Sequence, residues 1–379
     1  MSQDTYASDL ALLRNHAETL ELTDGQGRLA IVPDYQGRAM TSTLAGEGGR
    51  SFGWLNREFI ASGTDDATFN NYGGEDRFWL GPEAGQFGLW FREAEPFDLD
   101  HWRTPAGFNA GPFNVTARDD TSVTMARSLA VTNRSGAVFD CVVERTVRLL
   151  DADATAERLR GDVGDVRTIA FESENVLANA GETPWTRDGG LLSIWILGQF
   201  KPLARGVVIV PLRTGSEADF GPAATTKYFG PIPPERCTVE KDHLLFACDG
   251  RFRSKIGVSP RRSRGVLGSY DPDGNVLTIV QFNQPLTAAE LPYVNSLWEV
   301  QDRPFSGDAI NSYNDGEAEP GAGQLGPFYE IETSSPAAVC EPGQAITHVH
   351  RTFHFAGETA ALGAVAERVL GVALPAPAS

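Results

Sequence analysis

The sequence predicts an all-β protein with a few short helices, a large β-sandwich or barrel, and three observations carry that expectation. Strand-like segments bounded by turn residues recur along nearly the whole chain. Its 40 glycines and 23 prolines in 379 residues supply many turns. Helical periodicity appears only near the two ends, so no helices alternate with strands as a doubly wound parallel sheet requires. A chain of this length can bury a large core. With no internal repeat, low-complexity segment or linker, one domain over residues 1–379 is the simplest organisation.

In chain order, residues 8–18 read as a short amphipathic helix capped by Ser8 or Asp9, with Leu10, Leu12 and Leu13 turned inward. The period then changes. Residues 20–32 read as strand, Asp24-Gly25 turn, strand. Strands are expected over 122–131, 138–149, 166–175, 206–210, 243–247, 276–283 and 329–332, with clear alternation after Cys141. The apolar run 191–197 reads as a core strand. A second helix is expected over 358–370, where Leu362, Val365, Ala366, Val369 and Leu370 share one face.

Charge narrows the partners. A net charge of −18 with no lysine-rich tract argues against nucleic acid and anionic membranes, both of which recruit positive charge. No apolar run reaches the roughly 18 residues of a membrane span. The N-terminus has no basic and apolar leader pattern, so a cytoplasmic location is expected, or a periplasmic one if a leader has been removed. Cys141, Cys237, Cys248 and Cys340 have no metal-site spacing and read as reduced, mostly buried thiols, with a Cys237–Cys248 bridge as the alternative.

Reactive side chains concentrate near the C-terminus. If residues 329–332 and 347–354 are strands, Glu330 and Glu332 share one face of the first, and His348, His350 and His354 share one face of the second. The turn-like Glu341-Pro342-Gly343 joins them. One glutamate as base with a histidine as acid is the leading reading. A divalent metal held by His348, His350 and one glutamate is an alternative, and a solvated polar sheet face is another; no other cofactor is expected.

Four further segments have the chemistry of a sugar site, where flat rings stack on C–H faces and fixed polar groups read hydroxyls. Residues 71–87 place Asn71, Glu75, Asp76, Arg77 and Glu83 among glycines and aromatics and read as site lining, the alternative being a glycine-rich loop in which Arg77 pairs with a neighbouring acid to secure the turn. Residues 97–105 bring together His101, Trp102 and Arg103, with His101 a candidate acid. Residues 174–185 contain Asn175, Asn179 and Trp185. Residues 302–316 offer Asn311, Asn314 and Asp315 to a ligand or cation, although Asn314-Asp315-Gly316 is also a turn signal.

These residues resemble the galactose-mutarotase-like superfamily, which includes the aldose 1-epimerases. The likeness lies in the opening hairpin through Pro33 and Gly37, and in the ending Glu332…Pro336…Pro342-Gly343…Thr352-Phe353-His354-Phe355. A more specific similarity, over roughly residues 20–355, is to an uncharacterised bacterial family of this fold. It lies in Gly73-Gly-Glu-Asp-Arg-Phe-Trp-Leu-Gly-Pro-Glu83, Gly268-Ser-Tyr-Asp271, Asn311-Ser-Tyr-Asn-Asp-Gly316 and Glu330-Ile-Glu-Thr-Ser-Ser-Pro336. The resemblance implies a large antiparallel β-supersandwich and an enzyme acting on a sugar by acid/base proton transfer. Its base would be Glu332, with Glu330 as fallback. Epimerases carry their acid histidine in an Asn-His-x-Tyr-Phe context. The nearest counterpart, Asn179-Ala-Gly181, has no histidine, so that role passes to His101 or His348. Arg77 and Asn311 would orient hydroxyls or a carboxylate. A lyase or hydrolase on an acidic sugar, and a non-catalytic carbohydrate-binding protein, are the alternatives.

Overall fold

Alternating side chains along the strands are sorted by two facing sheets. The computed structural model describes residues 5–337 and 339–376. Among these, ten strands form one sheet in the order Cys237–Val239, His243–Ala247, Val207–Pro211, Val266–Asp271, Val276–Phe282, Ala345–Ala356, Arg167–Asn179, Val138–Leu149, Ser122–Thr132 and Asn114–Arg118. Five strands form the second, in the order Ser254–Val258, Ile310–Asn314, Tyr329–Ser334, Ser193–Phe200 and Arg77–Gly81. A third sheet holds Leu20–Asp24, Gly27–Val32 and Arg38–Thr43. Neighbouring strands within the sheets run antiparallel. The Asp24-Gly25 turn joins the first two strands, and Gly25 takes a φ of +58° that suits glycine there.

The apolar faces meet between the sheets. Ile331 and Tyr329 pack in one cluster with Val208, Leu267 and Val280 of the ten-stranded sheet. On that sheet's outer side, Phe353 and Phe355 meet Leu362, Val365 and Ala366 of the helix Thr359–Val369. The N-terminal helix spans Tyr6–His16 and begins earlier than the sequence suggests. Its cap is Thr5, whose hydroxyl accepts the Ser8 N–H at 3.3 Å, rather than Ser8 or Asp9. Asp9 instead is buried and paired with Arg57.

Two segments for which no strand was expected contain one, Arg77–Gly81 and Ile310–Asn314. Glycine and asparagine signal turns locally, but here the backbone pairs with strands remote in sequence, and tertiary pairing overrides that preference. All four cysteines are free thiols, so the Cys237–Cys248 bridge is not formed. Among the described residues no helix is long and apolar enough to cross a membrane.

Candidate functional site

The pleat of Tyr329–Ser334 separates the glutamates from the histidines. Tyr329, Ile331 and Thr333 face the inter-sheet core, while Glu330 and Glu332 face the other side of the five-stranded sheet. His348 and His350 project from the long strand Ala345–Ala356 into that core. Both reach the same hydroxyl, Thr333 Oγ1, from His348 Nε2 at 2.7 Å and His350 Nδ1 at 2.8 Å. A hydroxyl carries one proton, so it donates to one imidazole and accepts from the other. Burial pulls the His348 imidazole down to about 3 and His350 to about 4, which keeps both neutral. His354 is engaged by Thr278 at 2.9 Å and Glu75 at 2.8 Å and stacks on Phe52. The expected pairing of Glu330 or Glu332 with His348 is therefore not formed, because the sheet lies between them. A metal shared by His348, His350 and one of these glutamates fails for the same reason. Among the described residues no three His, Cys, Asp or Glu side chains gather in a metal-holding group.

The glutamate side of the sheet opens onto a partly enclosed cavity. Its floor comes from alternate residues of adjacent strands, Arg77 and Trp79, Trp195, Leu197 and Gln199, Glu330, Tyr313 and Lys255, with Arg253 just ahead of the strand Ser254–Val258. Loops complete the wall with Phe69, Glu83, Trp102, Phe229, Trp298 and Phe328. Four of the seven tryptophans line it. The rings brace one another, with Trp79 and Trp195 edge-on at 5.5 Å and Phe69 and Trp102 edge-on at 5.6 Å.

Charged groups are folded into this aromatic shell in pairs. Arg77 Nη2 donates to Glu330 Oε1 at 3.0 Å, and its guanidinium lies 3.9 Å from the Trp79 ring centre. Lys255 Nζ donates to Glu332 Oε2 at 3.0 Å, and Trp195 Nε1 donates to the same oxygen at 2.9 Å. Trp102 Nε1 donates to Glu83 Oε1 at 2.8 Å. Burial pushes the Glu330 carboxyl up to about 8; Arg77 opposes the rise and Glu332 adds to it. Burial likewise raises Glu83, against the pull of Lys255. For Lys255, burial acts downward, but Glu332, Glu83 and Glu330 outweigh it and hold the ammonium above the ordinary lysine range.

Glu332, the expected base, is fully buried and is not part of the cavity lining; it lies beneath Lys255 and Trp195. Glu330 lines the cavity itself. Of the other predicted residues, Arg77, Glu83 and Trp102 converge on it. Asn71 supports the wall, donating to the Leu325 carbonyl at 3.0 Å and accepting from Gln199 at 3.3 Å. Asp315 does the same, accepting from Tyr313 Oη and from the Gly326 N–H, both at 2.9 Å, and burial lifts its carboxyl to about 6. Asn311 sits behind Lys255 in a small polar chamber and donates to Tyr228 Oη at 3.0 Å.

The rest lie elsewhere. His101 points away from the cavity, on Asp98 at 2.5 Å, although its neighbour Trp102 lines it. Arg103 bonds Glu95 at 3.2 Å over a separate surface groove. Asn179 ties the Thr183 and Cys340 carbonyls, Asn175 bonds within the core, and Asn314 holds Gly250 and Phe252; each is spent on backbone groups that would otherwise lack partners. Glu75 and Asp76 are also inside the fold, Asp76 between Arg145 at 2.5 Å and Ser173 at 2.6 Å. Sequence reasoning missed Lys255, Arg253, Trp195 and Trp298. The basic residues Arg251, Arg253 and Lys255, just before and within the strand Ser254–Val258, were the available signal for the first two.

No curated protein matches the chain in sequence. Solved structures do match in fold. One is a protein of Escherichia coli K12 provisionally named an aldose 1-epimerase, with a TM-score of 0.54 and 11% identity over 89% of this chain and 98% of that one. Another is a galactose mutarotase-like protein from Lactobacillus casei ATCC 334, with a TM-score of 0.50 and 12% identity over 89% of this chain and 100% of that one. A protein from Synechocystis sp. PCC 6803 gives a TM-score of 0.51 and 14% identity over 90% and 96%. At such identities the likeness establishes the fold, a galactose-mutarotase-like antiparallel β-sandwich. The model of DUF6786, a family of unknown function, matches residues 4–376, and this chain belongs to that family.

Proposed function

We propose that the protein binds a sugar in the aromatic cavity and moves a proton on it with Glu330. The observation that carries this reading is a cavity carboxyl that burial raises to about 8 while an arginine, a lysine and further carboxyls surround it. Strongly shifted groups in a cleft are a feature of acid/base sites. The tryptophans offer faces for the C–H side of a sugar ring, and Arg77, Lys255 and Gln199 offer donors to its oxygens.

In this reading Glu330 holds its proton at neutral pH and donates it to a ring or leaving oxygen. Glu83, the other carboxyl in the lining, accepts a proton from a sugar hydroxyl. Lys255 stabilises negative charge that develops between them, and Glu332 fixes Lys255 in place without touching the ligand. Anomer interconversion needs only a donor at the ring oxygen and an acceptor at the anomeric hydroxyl, so two carboxyls suffice without a histidine. The fold shared with an aldose 1-epimerase-named protein supports that reaction class.

The test is anomer exchange measured by NMR over a panel of sugars, for the native protein and Glu330→Gln. We expect exchange to fall about 100-fold or more in the variant while calorimetric affinity for the sugar stays within a few-fold. Exchange at the native rate in Glu330→Gln removes Glu330 from the chemistry.

A further inference from the structure

One cation in the cavity forms no ion pair among the described residues. Arg77 is paired with Glu330 and Lys255 with Glu332. Arg253 lines the same cavity, yet among the described residues its guanidinium has no ion pair and no hydrogen bond. Asp315, two residues beyond the strand partner of Lys255, has both its carboxyl oxygens engaged, by Tyr313 and by Gly326.

The guanidinium is nevertheless held in place. It lies 3.8 Å from the Phe229 ring centre and 5.8 Å from that of Trp298, and those two rings meet edge-on at 5.5 Å. Stacking leaves the planar fork of N–H donors free at its edge and fixes its orientation before a ligand arrives. A second observation points the same way. Arg77 is buried, and among the described residues its Nε and Nη1 have no hydrogen-bond partner, although its Nη2 is used. Asp315 lies close enough to feel the Arg253 charge, but its carboxyl oxygens are taken by Tyr313 and Gly326 and leave the guanidinium edge unbonded.

We propose that the sugar carries an anionic substituent, a carboxylate or a phosphate, and that Arg253 receives it. This rests on the sugar reading above and adds the class of sugar to it. Charge-assisted, fork-like hydrogen bonding is the interaction that guanidinium groups make with both of these anions.

The experiment is calorimetric titration with glucose and galactose, with their uronic acids, and with glucose phosphorylated on its primary hydroxyl. It is run on the native protein, Arg253→Gln and Arg253→Lys. At least one anionic sugar is expected to bind about 10- to 100-fold tighter than its neutral parent. Arg253→Gln should erase that preference and Arg253→Lys should keep part of it. The uronate and phosphate arms then decide which anion is used. Equal binding of neutral and anionic sugars would overturn the inference and leave the sugar reading intact. No binding of any sugar by natively melting protein overturns both. If Arg253→Gln does not fold, salt dependence in the native protein decides. Binding of the anionic sugar must weaken with ionic strength while binding of the neutral sugar does not, and equal salt dependence overturns the inference.

Discussion

At the scale of single residues, Glu330 and Lys255 distinguish this site from a merely polar patch. Glu330 takes its proton at about 8 against an ordinary 4.5. Between those values the folded chain keeps a proton that the unfolded chain has released, so the native state loses stability as pH rises through that window. Glu330→Gln cannot titrate and should lose this dependence. Melting curves taken from about pH 4.5 to about pH 8 should therefore show the variant gaining on the native protein, by on the order of a few °C. Parallel curves would mean that Glu330 is ionised in the folded protein. Lys255→Met tests the other half of the floor. It strips the counter-ion from fully buried Glu332 and leaves only Trp195 on that carboxylate. Removing one partner of a buried pair costs about 3–5 kcal/mol, readable by urea unfolding. A much smaller loss would mean that water reaches Glu332.

At the scale of elements, one strand decides which chemistry meets which. Along Tyr329–Ser334 the glutamates were legible in the sequence, and so was their sharing of a face. The fault lay in pairing that face with the histidines of Ala345–Ala356. Period-two alternation says which residues lie together on one strand, but not on which side of a sheet another strand stands. The two histidines belong to Thr333, on the opposite pleat. Thr333→Val should therefore destabilise the fold by on the order of 1–3 kcal/mol, since it leaves buried imidazole nitrogens without a partner. Sugar affinity should stay unchanged. Loss of affinity in a fully folded Thr333→Val would place the histidines in the site after all. The same pair makes the fold acid-sensitive. Their folded values near 3 and 4 lie below the ordinary 6.5, so the unfolded state binds protons first and stability falls as pH drops below 6.5.

At the scale of the whole molecule, the strand-rich architecture and both terminal helices could be read from periodicity, because those segments carry their pattern locally. The site could be read only in part. Arg77, Glu83 and Trp102 announced themselves by chemistry within short segments. Lys255 and Trp195 did not, because only the register of strands far apart in sequence brings them together, and Arg253 and Trp298 reach the cavity from segments outside the strands. His101 and Trp102, adjacent in sequence, part company in the fold: one faces Asp98 at the surface and the other lines the cavity. That divergence gives the most direct test of the claim that the aromatic cavity is the sugar site. Sugars are titrated while tryptophan fluorescence is followed, in the native protein, His101→Ala and Trp102→Ala. A saturable change is predicted in the native protein and equally in His101→Ala, with affinity weakened about tenfold or more in Trp102→Ala. Affinity lost in His101→Ala and kept in Trp102→Ala, or no sugar response in any of the three, would contradict the account.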